Sequence, residues 1–272
     1  MFPAPTATWR LDDVLAKLRT QRAVAGLALI GSTGGAAFHA QSDYDLLLVV
    51  DRLPDGGHVL LTSIDGRLCD VVFLAAEALE QLEARRRPVP AGEPEATLLL
   101  WIANATILHD RQGRLARLQA TLAAEDWLGP PTAQRQAEAV AGLNYNLRQN
   151  RRMLAVADPV YQRALALRLL YAVADACSAY FTLRDQPWRG EKAAIRHWQS
   201  HDPKFLEKLD AFHDAAGVAA RFTAYEAVVV AVLGPQQPLW EAASTQISLA
   251  NFRGDHEAQA AAVYHFWAAL LA

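Results

Sequence analysis

The residues best suited to chemistry in this sequence lie in one short stretch. Gly31 and Ser32 follow an apolar run, and Asp43 and Asp45 stand at the start of the next apolar run. Side chains at i and i+2 of a strand point to the same face, with Cα atoms roughly 6.5 Å apart. Two such carboxylates can share a magnesium ion, which prefers a few carboxylate oxygens together with substrate phosphates. Because a Gly-Ser turn can direct backbone N–H groups toward phosphate, the stretch predicts a phosphate-binding turn beside a metal-binding strand.

This order of residues resembles the nucleotidyltransferase superfamily, which includes polymerase beta and the antibiotic adenylyltransferases. The family pattern is an apolar strand, Gly-Ser, a spacer, and Asp-x-Asp on the next strand. The resemblance implies that Gly31 and Ser32 hold the phosphates of a nucleoside triphosphate and that Asp43 and Asp45 bind magnesium. One departure is Gly35, which stands where many members of the family carry an arginine.

A third acid lies on the second arm of a predicted hairpin. Asp65-Gly66 separates two strand-like runs, residues 59–64 and 67–74, and Asp-Gly between such runs favours a two-residue turn. Asp70 lies inside the second run, where an isolated carboxylate is unfavourable unless it has a partner. The resemblance implies that Asp70 completes the metal site or helps to deprotonate the acceptor. The alternative is an edge aspartate that faces water.

Composition limits the class of protein. Of the 272 residues, 52% are apolar and 20% charged, and the net charge of −3 argues against a general nucleic-acid binder. The two cysteines, Cys69 and Cys177, lie in apolar contexts and are predicted to be buried free thiols. The sequence has neither a signal-peptide pattern nor an apolar run of roughly 20 residues. We therefore expect a cytoplasmic protein without a membrane partner.

The order of elements predicts an α+β protein. A small mixed β-sheet with helices on one face is expected in a catalytic domain over residues 1–128. Gly129-Pro130-Pro131 marks the boundary, because each of these residues disfavours a helix. An all-α helical bundle is expected over residues 129–272, in which Thr132 can cap one long helix and Asp158-Pro159 starts the next. This layout is similar to that of the small-molecule nucleotidyltransferases.

The helical domain contributes candidates of lower specificity. Lys192 follows Gly190 in a segment that resembles the helical domains partnered with these transferases, where such a lysine often faces the nucleotide phosphates. The alternative is a solvated lysine at a helix start. His197 and His201 have a helical spacing that could bind a metal, but no third ligand accompanies them. They are predicted to be surface histidines.

The general base on the acceptor is left open between Asp70, Glu138 and Asp175. Acids from the helical domain would also suit a polycationic acceptor. The resemblance thus implies magnesium-dependent transfer of a nucleoside monophosphate, with ATP as the leading donor, to a hydroxyl of an aminoglycoside-like small molecule, with release of pyrophosphate. Two magnesium ions roughly 3.5–4 Å apart would stabilise such a displacement.

Two other functions are considered. One is nucleotidylation of a protein or a tRNA, as in toxin-like members of the family, and the acidic balance counts against tRNA. The other is a non-catalytic, antitoxin-like nucleotide-binding module. The three acids count against it, because a protein without catalysis has no physical reason to keep them clustered. The acceptor, the base preference and the oligomeric state are left open, including a homodimer through the aromatic-rich last helix.

Overall fold

The computed structural model describes residues 9–31, 42–53, 59–234 and 265–272. The chain divides into two compact units. The described residues within 9–88, 98–127 and 265–272 form the first unit, and those within 89–97 and 128–234 form the second. The second unit thus resumes at Leu128, beside the Gly129-Pro130-Pro131 segment. Two segments are grouped differently from the predicted domains, since 89–97 belong with the helices and 265–272 with the sheet.

The secondary structure confirms the predicted α+β class, with a mixed sheet followed by a helical region. Its elements in chain order are α1 (Leu11–Thr20), β1 (Val24–Leu29), β2 (Tyr44–Val50), β3 (Val59–Ile64), β4 (Arg67–Ala75), α2 (Ala76–Glu83), β5 (Val89–Pro90), α3 (Pro94–Ala103), β6 (Thr106–Asp110), α4 (Arg114–Ala124), β7 (Leu128–Gly129), α5 (Ala133–Leu154), α6 (Pro159–Thr182), α7 (Glu191–His201), α8 (Pro203–Asp214) and α9 (Val218–Leu233). A last helix, α10, covers residues 265–271.

Five strands form the sheet of the first unit, in the order β3-β4-β2-β1-β6. The β2–β4 pair is parallel, whereas the β1–β2, β1–β6 and β3–β4 pairs are antiparallel. The hairpin between β3 and β4 is the predicted one, because Asp65 and Gly66 both have positive φ, 54° and 71°. The topology brings the starts of β2 and β4 side by side.

Helices cover both faces of this sheet, so the prediction of helices on one face is wrong. On one face, Tyr44 and alternate residues of β2 pack in a core with α1 and α10. On the other face lies α4, since a Cβ added at Gly26 would stand 2.8 Å from Leu115 Cδ1 and 3.3 Å from Val49 Cβ. The sequence signal was the unbroken run from Leu46 to Val50, every residue of which is buried. Such a run is typical of a strand that is covered on both sides.

The α10 helix belongs to the core of the sheet unit. Trp267 is fully buried and makes edge contacts with Trp9, at 5.6 Å between ring centroids, and with Phe73, at 6.4 Å. Lys17 Nζ in α1 donates a hydrogen bond of 2.7 Å to the carbonyl of Leu271. The aromatic residues near the end of the sequence therefore cover the sheet.

In the second unit, side chains that the sequence suggested as caps begin the long helices. Thr132 accepts a hydrogen bond from the Arg135 amide at the start of α5, and Asp158 accepts one from the Val160 amide at the start of α6. By length and composition α6 could cross a membrane, but half of its most apolar window is buried in the protein. Its residues enter the main core of the helical unit, as expected of a central helix. Both cysteines are free and buried, as predicted.

Arg184 joins the ends of α6 and α9. Its guanidinium lies 3.8 Å from the centroid of the Tyr180 ring and donates hydrogen bonds to the carbonyls of Tyr180, Ala231 and Val232 at 3.1–3.2 Å. We expect Arg184→Met to lower the free energy of unfolding by about 2–3 kcal/mol, because charge-assisted hydrogen bonds at helix ends are lost. Equilibrium urea unfolding measures this.

The control for Arg184→Met is Arg163→Met, which changes an exposed arginine of α6. It should alter the free energy of unfolding by no more than about 0.5 kcal/mol. Equal effects of the two substitutions would contradict the role given to Arg184.

Candidate functional site

The three predicted aspartates lie at the same end of two neighbouring strands. Asp45 in β2 is paired in register with Asp70 in β4, and Asp43 immediately precedes β2. Residues paired in adjacent parallel strands point to the same face, roughly 4.8 Å apart between strands. Their chain neighbours Tyr44 and Cys69 belong to the core on the opposite face. The side chains of Asp45 and Asp70 therefore lie side by side on the face away from α1 and α10.

The turn at Gly31 lies directly against Asp45. Gly31 has φ +62°, and a Cβ added there would stand 3.0 Å from Asp45 Cγ and would overlap Oδ2. The Ile30 amide donates a 2.9 Å hydrogen bond to the Asp45 carbonyl, which ties the end of β1 to the start of β2. Only glycine fits this position, both for its backbone conformation and for its contact. Ser32, the other predicted phosphate-binding residue, lies outside the described residues.

Negative charge is concentrated at this end of the sheet. Asp70 Oδ1 is buried and accepts no hydrogen bond from any residue that the structure describes. Burial raises the pKa of Asp70, and the negative charge of Asp43 raises it further. Burial also raises the pKa of the Cys69 thiol, to about 12, with added contributions from Asp70, Asp45 and Asp43. The three carboxylates are thus close enough to act on one another and on the same thiol.

The carboxylates at this end of the sheet suit magnesium better than a metal ion whose ligands all come from the protein. Within the described ranges, no three His, Cys, Asp or Glu side chains converge closely enough to hold an ion between them. Magnesium is commonly held by one or two carboxylates, with water and substrate phosphates completing its shell. Asp45 and Asp70 provide such a pair, and the unpartnered Oδ1 of Asp70 is an oxygen that a cation would satisfy. Ligation by all three aspartates stays a prediction.

Tyr44, between the two aspartates of Asp-x-Asp, anchors the start of β2. Its hydroxyl donates a 3.2 Å hydrogen bond to Asp65 Oδ2, and the Arg67 guanidinium lies 5.4 Å from the centroid of its ring. Arg67 also donates to the Ser42 carbonyl at 3.4 Å. These contacts hold the backbone on either side of Asp43. These contacts were not predicted from the sequence. The available signal was the Asp-Gly hairpin between Ile64 and Arg67, because Asp65 and Arg67, which contact Tyr44, belong to it.

The remaining predicted residues lie in the helical unit. Lys192 is exposed in the first turn of α7. Glu138 and Asp175 line a single cavity of about 280 Å³ formed by α5 and α6. Asp175 accepts a hydrogen bond of 3.2 Å from Asn146, and burial raises its pKa. The structure therefore brings together Gly31 and the three aspartates in one unit, and Glu138 and Asp175 in the other.

A second group of polar residues was not predicted as a site. Arg189, Arg196, His197 and His201 line one groove of the helical unit. The two histidines were predicted from the sequence to be surface residues. The signal that could have drawn attention to them is the density of arginine and histidine over residues 189–201, where Glu191 alone is acidic.

Comparison with known proteins finds similarity to solved structures. No protein-family model matches the chain, and no curated protein is significantly similar to it. The crystal structure of a nucleotidyltransferase-like protein from Exiguobacterium sibiricum 255-15 is similar over 82% of this chain and 72% of that chain, with a TM-score of 0.41 and 12% sequence identity. A similarity at this level carries no argument about chemistry, which depends on the geometry of the site.

Proposed function

We propose that the protein transfers a nucleoside monophosphate from a nucleoside triphosphate, with ATP as the leading donor, to a hydroxyl of a small molecule. The observation that carries this proposal is the in-register pair Asp45 and Asp70 against the Gly31 turn. One oxygen of that pair is buried without a hydrogen-bond partner among the described residues. A cation would satisfy that oxygen, and a triphosphate brings the further oxygen ligands that magnesium requires.

Asp45 and Asp70, together with Asp43, would hold magnesium. When bound, the ion neutralises the charge of the phosphates and of the leaving pyrophosphate. Gly31 allows the backbone to approach Asp45 closely, and the amides that follow it in the sequence are proposed to bind phosphate oxygens beside the carboxylates. Ser32, which follows Gly31 in the sequence, and Lys192 from the helical unit are proposed as further phosphate contacts.

The reaction forms a bond between the acceptor oxygen and the α-phosphorus and breaks the bond from that phosphorus to the oxygen of the β-phosphate. Pyrophosphate leaves, and the hydroxyl proton passes to a carboxylate. Asp70, Glu138 and Asp175 are the candidate bases. Burial raises the pKa of Asp70 and of Asp175, and a raised pKa favours proton acceptance by a carboxylate.

The acceptor is proposed to carry amino groups as well as hydroxyls, as aminoglycosides do. Support comes from the cavity of the helical unit, where the carboxylates of Glu138 and Asp175 lie with the amide of Asn146. An ammonium group would pair with either carboxylate there. Since ATP is the proposed donor, we place the protein in the cytoplasm.

Calorimetric titration with ATP, with and without magnesium, tests the proposal on the wild type and on Asp43→Asn/Asp45→Asn. We expect ATP binding that depends on magnesium in the wild type and a loss of at least about tenfold in affinity in the variant, because a contact worth about 1.4 kcal/mol or more is removed. Screening of acceptors by pyrophosphate release then follows.

The matched control is Asp12→Asn/Asp13→Asn, which removes two exposed acids from the first turn of α1. It changes the net charge by the same amount and should leave ATP binding unchanged. If the folded wild type binds no nucleoside triphosphate, or if both variants bind ATP equally, the proposed function is wrong.

A further inference from the structure

A groove of about 510 Å³ lies within the helical unit. It is formed by the end of α6, the segment that follows, and one face of α7. Its volume falls in the range of small-molecule sites, roughly 300–1,000 Å³. The side chains that give it its chemical character are Phe181, Gln186, Arg189, Arg196, His197 and His201.

The wall of this groove carries positive charge that the described part of the chain does not neutralise. Arg189 and Arg196 are exposed and form no ion pair or hydrogen bond with any residue that the structure describes. Asp202 is the acid that acts on His197. Its carboxylate already accepts hydrogen bonds from the Tyr180 hydroxyl at 2.9 Å and from the Phe205 amide at 3.1 Å. Two guanidinium groups are therefore available to an anion.

The same wall has a flat aromatic part. The rings of His197 and His201 are stacked, with centroids 4.7 Å apart and planes at 13°. The buried ring of Phe181 supports His197 from the side at 5.2 Å. Burial lowers the pKa of His197, and the positive charges of His201 and Arg184 lower it further.

This groove is distinct from the phosphate contact proposed for Lys192. Ala193, His197 and His201 recur on one face of α7 and line the groove. Lys192 lies one helical turn before Arg196, but it is not among the residues that line the groove. Any ligand in the groove is thus held by a different set of side chains.

We propose that the groove binds a small molecule that carries a phosphate group and a planar ring. Arg189 and Arg196 bind the phosphate oxygens, since the planar guanidinium group matches phosphate geometry. The ring stacks on the exposed imidazole of His201, continuing the stack that His197 begins. This binding does not depend on nucleotidyl transfer in the other unit.

Phenyl phosphate is a suitable probe, because it combines both groups in one small molecule. It is titrated into the full-length protein while the imidazole resonances of His197 and His201 are followed by NMR. We expect saturable shifts of both histidines and no shift of His109, which lies in β6 of the other unit. Inorganic phosphate, which lacks the ring, should bind more weakly at the same residues.

Substitution of the arginines distinguishes a specific binding site from nonspecific attraction of anions. Arg189→Gln/Arg196→Gln should weaken phenyl phosphate binding by at least about tenfold, the loss expected from one strong charged hydrogen bond. The control Arg152→Gln/Arg163→Gln removes two exposed arginines of α5 and α6, and should leave the affinity within about twofold.

Three results would overturn the proposal. They are the absence of a saturable shift in the wild type, equal losses in the two double variants, and equal affinity for phenyl phosphate and inorganic phosphate. A failed nucleotidyl transfer would leave these readouts unaffected, because they are local to α7. Asp43→Asn/Asp45→Asn should therefore bind phenyl phosphate in this groove as the wild type does.

Discussion

Gly31→Ala is expected to remove magnesium-dependent ATP binding and to lower the free energy of unfolding by about 2–4 kcal/mol. Two effects add. A non-glycine residue is strained at φ +62°, and the new Cβ would overlap the carboxylate of Asp45. The carboxylate can avoid this contact only by moving, which displaces the oxygens that the proposed ion would bind. Denaturant unfolding and calorimetric titration with ATP and magnesium measure the two effects.

Gly66→Ala is the matched control. Gly66 also has a positive φ, +71°, but a Cβ added there would meet no atom within 4 Å. This substitution should therefore cost only the backbone strain, about 1–2 kcal/mol, and should leave ATP binding intact. If both alanines have the same effect on unfolding and on binding, the close approach of the turn to Asp45 is not important.

Asp70→Asn is expected to have opposite effects on stability and on binding. The substitution removes a negative charge that is partly buried beside Asp43 and Asp45. In the absence of magnesium, the free energy of unfolding should rise by up to about 1 kcal/mol, since the charge repulsion with Asp43 is relieved at a partly solvated site. Magnesium-dependent ATP binding should fall by at least about tenfold. A functional site that opposes stability in this way is a common trade-off.

Asp51→Asn removes the same charge near the other end of β2. Asp51 is exposed and forms a 2.7 Å ion pair with Arg111, so its loss should lower stability by no more than about 1 kcal/mol and leave ATP binding unchanged. Denaturant unfolding of both variants, with and without magnesium, measures these changes in stability. An Asp70→Asn protein that is less stable than the wild type without magnesium would show that Asp70 has a structural role instead.

The parts of the fold that depend on local chemistry were predictable from the sequence. Asp65-Gly66 predicted its hairpin, because adjacent positive-φ positions are rarely compatible with other residue pairs. Thr132 and Asp158 predicted helix starts, because their side chains satisfy amides that lack intrahelical partners. The two-residue period of strands predicted that Asp43 and Asp45 share a face, and the resemblance implied that Asp70 lies on a neighbouring strand. The parallel pairing that sets Asp45 beside Asp70 was not predicted.

The parts that depend on long-range packing were not predictable in the same way. The sequence around Trp267 does not indicate that its partners are Trp9 and Phe73, which lie much earlier in the chain. The groove on α7 was missed for a similar reason. His197 and His201 were weighed as metal ligands and found to lack a third ligand, whereas their relation to Arg189 depends on how the chain folds back after α6.

The position of α10 affects the order in which the two units can fold during translation. Trp267 completes the core of the sheet unit, yet it is synthesised after every described residue of the helical unit. Domains commonly fold in the order in which they leave the ribosome. Here the helical unit can close its core while the nascent sheet still lacks one covering helix. The unit that begins first therefore completes its core last, and the face that α10 covers stays uncovered until residues 265–271 have been synthesised.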